Sequence, residues 1–240
     1  MRAMWKREWQ AMFTTPIGYV FMGLFLLVSG YFFWGYNLSS SSSDMSGFFD
    51  RIAYILVMFV PVLTMRLFSE ERRNKTDQLL ITSPMSIWGI VMGKFLSAAS
   101  VLLTTLAVTL LYPVIVAIFG TLSVGMVFTS YLGCFLLGCV YIAIGLLISS
   151  ICENQLTAAI VTLVVNILLQ VLEFVPQMLP AGSTFAFVGR LFGWLSLSTR
   201  NTEFAVGLLS PSNVLYLISF AGVLLFLTVR VIEKRRWSEN

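Results

Sequence analysis

The chain has 240 residues, of which 58% are hydrophobic and 11% charged, and its formal net charge is +4. Soluble domains carry about 25% charged residues, so this composition excludes an ordinary soluble domain. There is no histidine, and cysteines number three, so the chain lacks the usual ligands of metal sites and the usual base of catalytic triads. We predict an all-α polytopic membrane protein made of one transmembrane domain over residues 1–240, with no cofactor.

The stretch 1–15 combines bulky apolar side chains with basic ones. Trp5 and Trp9 lie about one helical turn apart, and Lys6 and Arg7 lie between them. This pattern predicts an amphipathic helix in the membrane interface. A signal peptide is the alternative, but a small-residue cleavage site is missing, and the apolar run that follows is long enough to span the membrane.

Six apolar runs predict six transmembrane helices, the second of them short. Pro61 and Pro113 are expected to kink the second and third helices, and residues 37–50 are predicted to form a polar loop after the first. Gly138 and Gly145 share one helix face and predict close helix packing. The predicted spans cover about residues 18–36, 52–67, 95–119, 124–148, 156–175 and 214–229.

A polar stretch, residues 66–94, separates the second predicted span from the third. Its charges predict a loop in water. Its helical first half is followed by the apolar pair Leu79 and Leu80, a candidate docking face. A Ser-Pro pair at 83–84 ends this helix, because the residue before a proline disfavours the α conformation, and Ser86 is expected to cap the next helix. The charged residues of the stretch are Arg66, Glu70, Glu71, Arg72, Arg73, Lys75, Asp77 and Lys94.

The basic residues predict the orientation, because cytoplasmic loops are enriched in lysine and arginine. If the N-terminus is inside, twelve of the fifteen basic residues lie inside. Both termini and the polar stretch are therefore expected to face the cytoplasm. The inside set is Arg2, Lys6, Arg7, Arg66, Arg72, Arg73, Lys75, Lys94, Arg230, Lys234, Arg235 and Arg236, and the outside set is Arg51, Arg190 and Arg200.

Residues 176–213, between the fifth and sixth predicted spans, are too apolar for a plain loop and too interrupted by glycine and proline for a span. They predict a re-entrant or interfacial segment that caps a pathway from outside. An aromatic belt lying flat at the outer interface explains the composition equally well. Glu173, at the outer end of the fifth span, either faces the pathway or takes the more usual interface position. The candidate pathway residues are Glu173, Phe185, Phe187 and Trp194.

Several short motifs carry a resemblance to a known family. They are Thr15-Pro-Ile-Gly-Tyr-Val, Leu24-Phe-Leu-Leu-Val-Ser-Gly-Tyr-Phe-Phe, Pro61-Val-Leu-Thr-Met-Arg-Leu-Phe-Ser-Glu-Glu, Thr76-Asp-Gln-Leu-Leu-Ile-Thr-Ser-Pro84, Gly93-Lys-Phe, Asn154-Gln155 and Arg235-Arg-Trp237. With them, nearly the whole chain resembles the ABC-2 type permeases. Within these it is most similar to the gliding-motility permease branch, related to the membrane subunits of copper-processing exporters. It departs from the pattern at Thr15, where serine is usual, and over residues 181–211, which match weakly.

The resemblance implies a permease subunit that has no ATPase of its own, and the chain indeed has no Gly-x-x-x-x-Gly-Lys-Ser/Thr phosphate loop. Two six-helix subunits would pair, as identical copies or with a sister permease, each resting on a separate ATP-binding subunit. Residues 68–93 would be the coupling loop that docks on this ATPase, with the N-terminal helix beside it. The charged residues of this loop would fix its register on the ATPase, and its leucines would supply buried contact. Alternatively, the charged residues form a solvated face. The implied coupling residues are Glu70, Glu71, Arg72, Thr76, Asp77, Leu79, Leu80, Ser83 and Pro84.

The resemblance also implies the plasma membrane of a bacterium, a surrounding of lipid and room for an external accessory subunit, but no nucleic acid. A secondary transporter or channel is the main alternative, and it would need inverted repeats and ionisable residues at mid-membrane. An intramembrane enzyme would need a nucleophile with a base or a metal cluster. An ATPase gene beside this one would favour an exporter. The apolar spans favour a lipid-like, peptide or hydrophobic cargo, whereas the family resemblance also allows mechanical work on an external partner.

Overall fold

Helices make up all the regular structure of the part of the chain that the computed structural model describes, which is residues 2–75, 86–172, 174 and 196–238. This confirms the predicted all-α class. A short π-helical segment, Trp34–Leu38, continues the second helix. The α-helices are α1 (Arg2–Thr14), α2 (Pro16–Phe33), α3 (Ser46–Thr64), α4 (Ser69–Arg73), α5 (Ile87–Thr109), α6 (Leu111–Phe119), α7 (Val124–Ile151), α8 (Gln155–Val171), α9 (Leu197–Ala205) and α10 (Pro211–Ser238).

Five helical stretches in the described residues are long and apolar enough to cross a membrane. The chain is therefore a multi-pass membrane protein. The apolar helix α8 has 17 residues and is shorter than these five, so the predicted count of six spans stays a prediction. The five stretches are Pro16–Leu38, Ser46–Arg73, Ile87–Phe119, Val124–Ile151 and Pro211–Lys234.

Helix α7 forms the centre of the bundle. It packs against α3, α5, α8, α9 and α10. In its most apolar stretch of 18 residues, 78% is buried within the protein. The corresponding 18-residue stretches of the spans that contain α2 and α10 are each only 28% buried. Their remaining apolar surface suits a lipid environment, because such side chains cost little in hydrocarbon. The bundle is thus organised around α7, with α2 and α10 on its periphery.

Two glycines let α7 approach its neighbours closely. A Cβ atom at Gly145 would lie 2.1 Å from Oγ1 of Thr64 on α3, and one at Gly138 would lie 2.3 Å from Cδ2 of Leu102 on α5. Small residues bring helix backbones together in membranes, where dispersion contacts drive helix association. The close packing predicted for this pair of glycines is confirmed, and it occurs within one chain.

Replacing Gly145 by alanine is expected to destabilise the bundle by about 1–3 kcal/mol, because overpacking forces neighbouring atoms to move. Thr64 has little freedom to move away, since its side chain is branched at Cβ and fully buried. Gly222 on α10 provides the control, because a Cβ there would meet no atom of the described residues within 4 Å. The measurement is thermal unfolding in lipid nanodiscs. Equal melting temperatures for G145A and G222A would contradict the packing described here.

Helix α3 begins earlier than the predicted span, which started at residue 52, and takes in part of the predicted loop 37–50. The Asp44 carboxylate accepts hydrogen bonds from the Ser46 amide and hydroxyl, each at 2.9 Å. Asp50 and Arg51 consequently lie inside the helix, and Arg51 Nε donates to the Tyr36 hydroxyl at 3.0 Å. The predicted loop therefore extended too far, because residues 46–51 are helical although they precede the apolar run from which the span was predicted.

The third predicted span, 95–119, is interrupted in the structure. Helix α5 ends at Thr109 and α6 begins at Leu111. Pro113 explains the break, since it has no amide hydrogen to donate to the Thr109 carbonyl. At the other end, α5 starts at residue 87 and its predicted cap is confirmed, because the Ser86 hydroxyl accepts from the Gly89 amide at 3.2 Å.

Candidate functional site

Charged side chains from distant parts of the sequence meet where α1, α4, the first turns of α5 and the α7–α8 connection come together. We call this set the polar junction. Most of its members belong to the polar stretch 66–94, which contains the predicted coupling loop. The members of the polar junction are Glu8, Arg66, Glu70, Glu71, Arg72, Lys94 and Glu153.

Lys94 is the buried centre of the polar junction, with 1% of its surface exposed. Its Nζ lies 2.8 Å from Oε1 of Glu71 on α4 and 3.3 Å from Oε2 of Glu8 on α1. The same ammonium lies 5.1 Å from the centre of the Phe68 ring. A buried charge is tolerated only when it is paired and hydrogen-bonded. Lys94 therefore joins α1, α4 and α5 through ion pairs that water screens weakly.

Arg66 and Arg72 fix α4 on its other sides. Arg66 donates from Nε and Nη2 to the two carboxylate oxygens of Glu70, a bidentate pair one turn apart along the chain. Arg72 Nη2 lies 2.8 Å from Oε1 of Glu153, and Nη1 donates to the carbonyl of Ile151, the last residue of α7. These contacts attach α4 to the turn between α7 and α8.

A serine from α7 caps the start of α4. The Ser149 hydroxyl oxygen accepts from the amides of Phe68 at 3.0 Å and Ser69 at 3.2 Å. Amides at a helix start have no partner within the helix, so an outside acceptor stabilises them. The hydroxyl in turn donates to the Met65 carbonyl at 3.3 Å. The end of α3 and the start of α4 are thus both bonded to α7.

The predicted interfacial helix, α1, packs mainly along α5. Trp5 Nε1 donates to the Ser100 hydroxyl at 3.1 Å, and the Trp9 ring centre lies 5.0 Å from that of Phe13. Gly93 makes room for α1, because a Cβ there would lie 2.8 Å from the Met4 side chain. The other two predicted residues of this helix, Lys6 and Arg7, are exposed. Its depth in a membrane stays a prediction.

The structure places the described coupling residues inside contacts of this chain. Glu70, Glu71 and Arg72 each have a charged partner within the polar junction. From the sequence, we predicted instead that these charges fix the register of the loop on a partner subunit. The other predicted coupling residues, Thr76, Asp77, Leu79, Leu80, Ser83 and Pro84, lie outside the described residues, as do the candidate pathway residues Glu173, Phe185, Phe187 and Trp194.

Sequence reasoning missed Glu8, Ser149 and Glu153 as site residues and did not distinguish Lys94 from its charged neighbours. Lysines at the start of an apolar run usually extend their charge toward water, which hid the burial of Lys94. A signal was present, because Gly93-Lys-Phe belongs to the motifs that carry the family resemblance. Among the described residues, no cluster of histidine, cysteine and acidic side chains is suited to a metal ion.

Comparison with known protein families supports a transport role for this architecture. The family model described as ABC-2 family transporter protein matches residues 33–187, more than half of the chain and including α4, most of the polar junction and α7. A search of curated proteins found no significant match. Members of this family are permease components of ABC transporters. This role implies an ATP-binding partner subunit. The chain belongs to the ABC-2 transporter family.

Proposed function

We propose that this permease works in an exporter, and that a separate ATP-binding subunit drives it by acting on residues 68–93. The observation that carries this proposal is the ion pair between Glu71 and Lys94. The chain leaves α4 after Arg73 and enters α5 at Ile87, and this pair joins the two sides of that connection directly. A force applied to the connection therefore moves α4 and α5 together.

The remaining contacts of the polar junction extend this movement to other helices. The ion pair between Glu8 and Lys94 links α1 to α5, and the ion pair between Arg72 and Glu153 links α4 to the α7–α8 turn. Separating the partners of a buried charge pair leaves uncompensated buried charges and is strongly destabilising, so these pairs oppose relative movement of the elements that carry them. The charged residues then make a rigid lever within the permease. In this proposal the apolar pair Leu79 and Leu80 contacts the ATP-binding subunit.

The assembly and topology follow the same proposal. We place the permease in the plasma membrane of a bacterium, in the gliding-motility branch, with both termini and the 68–93 stretch in the cytoplasm. Two copies, or this chain and a sister permease, form the membrane unit, because one bundle would supply half of a pathway. The fifth predicted span, 156–175, remains one of the six spans of this proposal. An external accessory subunit belongs to the same hypothesis.

Helix α9 supports a re-entrant segment within residues 176–213. Its Phe204 packs so closely on α7 that a Cβ at Gly133 would lie 2.6 Å from the Phe204 Cβ. The hydroxyls of Thr129 and Ser130 donate to the Phe204 carbonyl at 3.3 Å and 3.0 Å. Since α9 also packs against α3, it lies among the bundle helices. This placement favours a cap over the bundle more than a belt on its surface.

Replacing Leu79 and Leu80 by alanine is expected to weaken binding of the ATP-binding subunit by at least about tenfold. Burial of each leucine is worth roughly 1.5–3 kcal/mol before association costs, and 1.4 kcal/mol corresponds to about tenfold. The measurement is the Kd of the permease in nanodiscs for the ATP-binding subunit with which it is reconstituted. The double variant L208A/L209A, at an exposed pair near the start of α10, is the control. A wild-type permease that binds no such subunit would instead favour a secondary transporter.

A further inference from the structure

Helix α8 carries a polar face that points into the protein. Along this face, Thr162, Asn166 and Gln170 recur every four residues and all are buried. The opposite face is apolar and exposed, with Val164 and Leu168 as examples. In water a helix buries its apolar face. Here the arrangement is reversed, so the polar face needs an explanation other than contact with solvent.

Asn166 is the least satisfied residue of this face. It is 0% exposed, and within the described part of the chain neither its Oδ1 nor its Nδ2 has a hydrogen-bond partner. Gln170 accepts from the Tyr141 hydroxyl at 3.4 Å, but its Nε2 has no hydrogen-bond partner among the residues that the structure describes. Thr162, by contrast, is satisfied, since its hydroxyl donates to the Ala158 carbonyl at 2.7 Å. An unpaired amide away from water is costly, so this conformation leaves hydrogen-bonding capacity unused.

The unpaired groups lie where several helices converge. Helix α8 packs against α3 and α7, and α9 contacts all three. On α9, Asn201 is also buried, and no described residue forms a hydrogen bond with its Oδ1. Asn166 is eleven residues beyond Gln155, the first residue of α8, and so lies about 17 Å along the helix. That depth is near the middle of a hydrocarbon core about 30 Å thick.

The polar junction is attached to the foot of this helix. Arg72 holds both Glu153 and the carbonyl of Ile151, and the neighbouring Asn154 accepts from the Leu156 amide at 3.0 Å to cap α8. Movement of α4 therefore acts on the segment from which α8 starts. This connection offers a mechanical route for separating α8 from α3 and α7.

We propose that the polar face of α8 is one wall of the transport path, closed in this structure, and that it binds uncharged hydrogen-bonding groups of the cargo. The inference rests on the proposed ATP-driven function. Amides offer both donors and acceptors, which suits hydroxyl or amide groups. A charged cargo would lack a counter-ion on this face, whose members Thr162, Asn166 and Gln170 are all uncharged. When α8 separates from α3 and α7, Asn166 and Gln170 reach the cargo and form the hydrogen bonds that the closed state lacks.

Replacing Asn166 by leucine is expected to raise the melting temperature in nanodiscs and to reduce ATP-driven transport about tenfold, the effect of losing one or two hydrogen bonds to cargo. Binding of the ATP-binding subunit is expected to stay unchanged. The control is T105V on α5, outside the polar face of α8. It removes a buried hydroxyl that is already satisfied by the Val101 carbonyl at 2.8 Å and is expected to keep wild-type transport. A lower melting temperature for N166L would assign Asn166 a structural role and overturn the inference, as would wild-type transport by N166L.

A labelling experiment tests the opening directly. The natural cysteines Cys134, Cys139 and Cys152 are replaced, and N166C is treated with a charged, water-soluble thiol reagent. We expect reaction during ATP turnover and none without ATP, whereas L168C, on the exposed apolar face, is expected to stay unreactive in both conditions. ATP-driven transport with an unreactive N166C, or equal reaction with and without ATP, would contradict this inference alone. A permease that recruits no ATP-binding subunit would contradict the proposed function and this inference with it.

Discussion

Replacing Lys94 by methionine is expected to destabilise the permease by about 3–5 kcal/mol, the usual cost of removing one partner from a buried ion pair. The ammonium of Lys94 lies between the carboxylates of Glu71 and Glu8, and all three side chains are largely buried. Without it, two like charges remain close together away from water. The measurement is thermal or denaturant unfolding in lipid nanodiscs. The same variant is expected to loosen α1 from α5.

Two further variants show whether the effect comes from the unpaired carboxylates. Neutralising all three groups in K94M/E8Q/E71Q is expected to restore most of the stability, because a fully neutral site leaves no buried charge without a partner. Replacing Arg230 by methionine breaks an exposed pair with Glu233 and is expected to cost less than about 1 kcal/mol. If K94M proved as stable as R230M, the burial of this ion pair would be refuted.

Reversing Glu71 to lysine is expected to uncouple ATP hydrolysis from transport, whereas reversing Glu70 has a smaller effect. A lysine at position 71 would place a second ammonium beside Lys94, so that α4 loses its tie to α5 and α1. Truncating a buried charge pair costs about 2–5 kcal/mol, and 1.4 kcal/mol corresponds to about tenfold. We therefore expect transport per ATP hydrolysed to fall at least about tenfold. Glu70 is partly exposed and pairs with Arg66 one turn away, so E70K leaves these contacts in place.

Local rules predicted several features of the fold correctly. Serine before a helical run predicted the cap at Ser86, and glycines seven apart predicted the close packing at Gly138 and Gly145. Both depend on residues near each other in sequence or on one helix face. The start of α3 was missed because the span was placed on the apolar run from residue 52, whereas the helix begins at Ser46, whose amide donates to the Asp44 carboxylate.

The contacts of the polar junction depend on tertiary packing and could not be predicted from local sequence. Glu8 and Lys94 are 86 residues apart, and they meet only because α1 packs along α5. Ser149 caps α4 from a helix 80 positions further along the chain. By contrast, the repeat of Thr162, Asn166 and Gln170 was visible in the sequence at helical spacing. Treating that span as uniformly apolar concealed its polar face.

The central claim is that the pairing of Glu71 with Lys94 transmits the action of the ATP-binding subunit to the bundle. The most direct test exchanges the two charges in K94E/E71K and measures transport per ATP hydrolysed in the reconstituted complex, beside the wild type and E71K. Because the exchange again places an ammonium among carboxylates, we predict that it restores most of the coupling lost in E71K. Wild-type coupling in E71K, or no recovery in the exchanged pair despite normal folding, would contradict the claim.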